Sequence, residues 1–129
     1  YRTLPEAKNT VLGGSSLGGL ISIFGVCAYP QVFGKVLNFS PAYWINENDL
    51  NSYIQNQNID LSAHKIYTIA GKNESPTITT EINLIQDKLL NKNFPLQFRL
   101  FAHPERGSST VLNRIRTLRT EAPDLCFGV

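Results

Sequence analysis

The sequence predicts an α/β domain: about four parallel strands with flanking helices. Three observations carry that expectation. Short apolar or β-branched runs alternate with longer stretches of helical periodicity, and strands that alternate with helices must pair in parallel, because each connection crosses the sheet. One strand-to-helix junction is a tight cluster of small residues, Gly13-Gly14-Ser15-Ser16-Leu17-Gly18-Gly19. The 129 residues are enough for one domain with a modest core and too few for two.

Taken in order, Tyr1 to Lys8 reads as the end of a helix, and Thr10 to Leu12 as the first strand. Leu17 to Tyr29 reads as a buried helix whose inner face is Leu20, Phe24 and Cys27, widened by Ile21 and Ile23. Tyr29-Pro30 ends it, because a residue before proline avoids the α region. Lys35 to Phe39 is the second strand, stopped by Ser40-Pro41. Ala42 to His64 holds five asparagines and few apolar residues; it reads as a surface excursion with one short helix around Leu50, Tyr53 and Ile54. Lys65 to Ala70 is the third strand, closed by Gly71. Ile78, Ile82, Ile85 and Leu89 recur at i, i+4, i+7 and i+11, the cleanest period in the chain, and predict a helix over 77–91. Leu96 to Ala102 is a fourth strand, and a last helix is expected over 109–120, with Val111, Ile115 and Leu118 facing inward.

Composition excludes little. Apolar residues make up 42% and charged residues 17%, with a net charge of +2, which points to neither nucleic acid nor a membrane surface. No apolar run approaches the roughly 18–20 residues that span a bilayer. Cys27 and Cys126 show no metal spacing, no C-x-x-C and no compartment; Cys27 is expected to pack as a small hydrophobe. Neither a metal nor a cofactor is expected. Localisation is left open between cytoplasm and periplasm. The arginines near the end (Arg99, Arg106, Arg114, Arg116, Arg119) read as a solvated helix face rather than an anion site.

The chemistry starts at Gly14-Ser15-Ser16-Leu17-Gly18. A strand, a sharp turn and a helix around a Gly-x-Ser-x-Gly frame form a nucleophile elbow. The turn forces its central serine to positive φ, and residues two positions away on either side must be small. Gly14 and Gly18 occupy those positions, so Ser16 is the candidate nucleophile. The helix that follows aims its N-terminal amides at the site, and the Leu17 N–H is placed to hold an oxyanion. The same residues also suit a plain strand–helix turn or a phosphate-binding loop. A serine hydroxyl needs a base, and the base an orienting carboxylate, following in the order Ser…Asp/Glu…His at carboxyl strand ends. Glu74, just past Gly71, fits the acid; its alternative is a solvated loop carboxylate. His103 follows the fourth strand and is the candidate base. His64 precedes the third strand, at the wrong edge, and is expected to be an incidental surface residue.

With these residues in view, the chain resembles the Putative esterase family of α/β-hydrolases, which contains trilactone siderophore esterases and related carboxylesterases. The matching pieces are Gly13 to Gly19, Tyr29-Pro30 with Phe33-Gly34, Phe39-Ser40-Pro41-Ala42-Tyr43-Trp44, and the strand ending in Gly71 with nearby Glu74. The resemblance implies Ser16 as nucleophile, Glu74 as acid, and Ser40, Tyr43 and Trp44 lining the site's mouth. The family's histidine falls nearest Ser108 here, so the base is either His103, five residues earlier, or missing. The chain corresponds to the C-terminal half of the fold, 1–129 being a partial domain: a fragment, a truncated product or half of a split protein. One edge of the elbow strand is then unpaired and invites self-association. The expected function is hydrolysis of a small-molecule carboxylic ester through Ser-His-Glu chemistry. The alternatives are an acyltransferase of related fold and an inactive domain that binds a ligand or partner.

Overall fold

The computed structural model describes residues 4–71, 74–93 and 96–101, the last of these as backbone. Its elements are a 3-10 turn (Ala7–Asn9), β1 (Val11–Ser16), α1 (Leu17–Ala28), β2 (Lys35–Pro41), α2 (Glu47–Asn56), β3 (Lys65–Gly71), α3 (Ile78–Leu90) and β4 (Leu96–Phe101). The strands form one sheet in the order β1-β2-β3-β4, every neighbouring pair parallel. The α/β expectation with about four parallel strands holds. The last expected helix and the end of the fourth strand lie outside the described residues.

The main core joins the helices to one face of the sheet. Ile23, Val26 and Cys27 of α1, Leu50 and Ile54 of α2, and Ile78, Ile82, Ile85 and Leu89 of α3 pack with Val36, Ile66 and Ala70 of the strands. The four-residue period of α3 is therefore its buried stripe. Leu37, Phe39, Tyr67 and Ile69 alternate with those strand residues and form a second buried cluster on the other face.

Two expectations need correction. The sheet-facing side of α1 is Gly19, Ser22, Ile23, Val26 and Cys27, whereas Phe24 and Ile21 are exposed. A helix that is apolar nearly all round offers no contrast to orient it. Its small residues decide instead, because they let the axis approach the strands: a side chain on Gly19 would press on Pro41, and one on Gly25 on Leu12. The asparagine-rich stretch is also no mere surface excursion. Ala42, Tyr43, Leu50, Ile54 and Leu61 from it are buried, because apolar residues at i and i+4 give α2 an inner edge that the polar composition hides.

Candidate active site

Of the candidate residues, Ser16, Ser40 and Glu74 lie at the carboxyl ends of their strands. β1 runs through both glycines into the two serines, further than its apolar residues suggest, because it stays in register with β2 from Val11↔Lys35 to Ser15↔Phe39. The register then slips, and Ser16 lies opposite Pro41. Ser40 is the skipped residue, with φ 44°. Ser16 itself has φ 56° and ψ −119° and caps the start of α1. Each such conformation costs of order 1–3 kcal/mol for a residue with a Cβ and persists only where its surroundings over-determine it.

The surroundings are visible. A Cβ on Gly14 would lie 2.5 Å from the Gly18 carbonyl carbon, so strand and helix backbones touch there. Gly19 approaches Pro41 so closely that an added Cβ would sit 2.8 Å from the proline Cβ. The Ala42 N–H donates to the Ser16 carbonyl at 3.0 Å and ties the two strand ends together. Ser16 and Leu17 are exposed, which leaves the hydroxyl at an open tip. The first N–H groups of a helix have no intrahelical partner, so the start of α1 offers donors and a positive dipole end beside Ser16.

Glu74 sits past the end of β3. Its Oε1 accepts from the Gly71 N–H at 2.9 Å, and its own N–H donates to the Gly71 carbonyl at 3.1 Å. A Cβ at Gly71 would collide with that carboxylate, so the glycine makes room for the turn. Ser40 is half-buried between Phe39 and Pro41, and Trp44 is 64% exposed. Tyr43 is only 1% exposed; its side chain lies in the core. His103 and Ser108 lie outside the described residues. His64 differs from the incidental surface residue expected: it is half-buried at the opposite edge of the sheet, its Nε2 2.9 Å from the Pro30 carbonyl. Among the described residues no group of three or more His, Cys, Asp or Glu could hold a metal ion, and no helix is long and apolar enough to cross a membrane.

Sequence reasoning missed one polar cluster beneath this edge. Asn38 and Thr68 are register partners on β2 and β3, both buried, and both hydrogen-bond the Tyr43 hydroxyl, Asn38 Nδ2 donating at 2.8 Å. Burial holds that hydroxyl well above the usual phenol range, so it stays protonated. An asparagine inside the run Val36-Leu37-Asn38-Phe39 was the available signal, since buried polar residues need partners.

A parallel sheet that carries a strained serine between strand and helix at its carboxyl edge is the arrangement of an α/β-hydrolase. Comparison with known proteins agrees. A model of the family described as Putative esterase matches residues 1–109, and the chain belongs to that family. It is 42% identical over 43 residues to the iron(III) salmochelin esterase of Escherichia coli, covering 33% of this chain and 10% of that one. It is 45% identical over 40 residues to a Bacillus subtilis protein named Uncharacterized protein YbbA, covering 31% and 15%. The crystal structure of enterochelin esterase from Shigella flexneri superposes with a TM-score of 0.72 at 23% identity, over 94% of this chain and 31% of that one. The chain thus matches no more than about a third of the length of these relatives.

Proposed function

We propose that the protein acts as a serine carboxylic-ester hydrolase on a small-molecule ester of the siderophore-esterase type. The observation that carries this reading is the backbone of Ser16, held at positive φ at the tip between β1 and α1. Ser16 Oγ attacks the ester carbonyl while its proton passes to the imidazole of His103. The Leu17 N–H donates to the oxyanion of the tetrahedral intermediate, and Glu74 orients the imidazole and stabilises its cationic form. As the C–O bond breaks, the imidazolium returns the proton to the leaving alkoxide. Water, deprotonated by the same base, then cleaves the acyl-enzyme and regenerates Ser16. The family resemblance assigns Ser40 and Trp44 to the mouth of the site, and the chemistry asks for no metal or cofactor. The relatives' names support the substrate class, since the salmochelin and enterochelin enzymes are called esterases.

One observation favours a second reading. Ser108 stands where the resemblance puts the family's histidine, which fits a domain that has lost its base and binds without turning over. Labelling with a fluorophosphonate separates the two. Modification of the wild type that is lost in both Ser16→Ala and His103→Ala supports the hydrolase. Loss in Ser16→Ala alone removes His103 as the base, and no labelling at all favours the inactive domain. β1 is the terminal strand of the described sheet, and we infer that the chain self-associates along its outer side, a reading that a monomer at every concentration in sedimentation would overturn.

A further inference from the structure

The Asn38–Thr68–Tyr43 cluster sits in an otherwise apolar layer, between Val36 and Ile66 below and the strained strand ends above. Gly14, Asn38 and Thr68 are consecutive register partners across β1, β2 and β3, so the cluster lies level with the glycine that α1 touches. Tyr43 directly follows the corner Ser40-Pro41-Ala42. That corner contains the skipped residue of the β1–β2 pairing, the proline packed on Gly19, and the N–H that binds the Ser16 carbonyl.

The cluster is poorly explained as a device for stability. Asn38 is fully buried, and its Oδ1 finds no partner among the described residues. An unsatisfied buried acceptor is costly, and an apolar layer of the same shape would avoid it. What the hydroxyl contacts add is direction. Packing alone holds a phenol ring in a slot, whereas bonds to two adjacent strands set its height along them.

We propose that Tyr43 is a positioning residue for the elbow: with its hydroxyl held by Asn38 and Thr68, it locks the Ser40–Ala42 corner, and through the Ala42 N–H and Pro41 that corner holds Ser16 in its strained conformation. The consequence for catalysis rests on Ser16 being the nucleophile; the mechanical coupling does not. Tyr43 therefore affects the reaction without touching the substrate.

The test compares the wild type with Tyr43→Phe and Thr68→Val, each of which deletes a hydroxyl at nearly constant shape, and with Ile85→Val, a core truncation on α3. Two quantities are read: hydrogen exchange at the Ala42 amide relative to the slowest-exchanging core amides, and the second-order rate of fluorophosphonate labelling at Ser16. Expected is Ala42 exchange roughly tenfold faster or more in Tyr43→Phe and Thr68→Val, since a local opening becomes easier. Labelling should fall roughly ten- to a hundredfold in the same two, as misplacement of a reacting group by about 1 Å does. Ile85→Val should leave both near wild type. If the hydroxyl variants behave like Ile85→Val, the coupling is refuted. If the wild type takes no label, the hydrolase reading fails, and Ala42 exchange alone decides on the coupling. Should Tyr43→Phe not fold, Thr68→Val carries the same comparison.

Discussion

The three glycines around Ser16 should respond very differently to the same methyl group. A Cβ on Gly14 would meet the carbonyl carbon, oxygen and Cα of Gly18 at 2.5, 2.6 and 2.7 Å. All three are backbone atoms of a helix start that Ser16 holds in place, so neither side can yield without moving the elbow. Overpacking of a core costs about 1–3 kcal/mol and occasionally more, and this site belongs at or above the upper end. On Gly19 the methyl would lie 2.8 Å from the Pro41 Cβ and 3.1 Å from its Cα, a contact with a ring that can tilt, so about 1–3 kcal/mol is expected. On Gly18 the methyl meets nothing within 4 Å. Gly18→Ala should instead gain about 0.5–1 kcal/mol, from the lower chain entropy of the unfolded state and the better helix propensity of alanine. Urea unfolding of the three variants, followed by far-UV circular dichroism, measures these differences. Gly18→Ala as damaging as Gly14→Ala would refute the reasoning, because the demand for smallness would then be symmetrical about the serine.

Four further outcomes are expected. The Cys27 thiol, pushed up to about 12 by burial, resists alkylation in the folded protein at pH 8, while unfolding exposes it; rapid modification under native conditions would contradict its place in the core. Its raised value also fixes a pH slope: stability is full below the unfolded thiol's value near 9, then falls by about 1.4 kcal/mol per pH unit toward 12 as only the unfolded state loses the proton, and urea titrations of wild type and Cys27→Ala should diverge in that window. His64→Leu should cost about 1 kcal/mol by removing the contact with the Pro30 carbonyl and leave fluorophosphonate labelling unchanged, since the residue lies at the far edge of the sheet. Trp44 is the sole tryptophan and is exposed, so its emission should be that of a solvated indole, and an ester-product analogue that seats at Ser16 should shift it to the blue.

What the sequence disclosed and what it hid divide along physical lines. The strands of the sheet and α3 were legible because their apolar period contrasts with polar neighbours, as Ile78, Ile82, Ile85 and Leu89 show. α1 lacked that contrast, so its inward side could not be read from which residues are apolar; it followed from where glycines allow approach. Ser16 was legible because strain leaves a signature in its neighbours. Even so, the glycine frame suggested two equivalent small positions, when the tight contacts are at Gly14 and Gly19 and the space at Gly18 is open. Tyr43 was read through its neighbours in the motif as a residue at the mouth, and the structure places it inside. Sequence order cannot say on which side of a turn a side chain falls when the turn contains a residue at positive φ, and Ser40 is such a residue.

That reversal at Ser40 has a further consequence for the elbow. Two adjacent strands end here in non-glycine residues at positive φ, Ser16 at 56° and Ser40 at 44°, and the register slip puts the two irregularities side by side. Each alone would relax toward the β region. Together they are linked, because the Ala42 N–H reaches the Ser16 carbonyl only if the skipped residue shortens β2 by one place relative to β1. Relaxing Ser40 would restore the regular register and break that bond; relaxing Ser16 would move α1 off Pro41. The strain at the candidate nucleophile is thus sustained by a second strained residue on the neighbouring strand, and Ser40 bears on the site through the backbone whatever its side chain contacts.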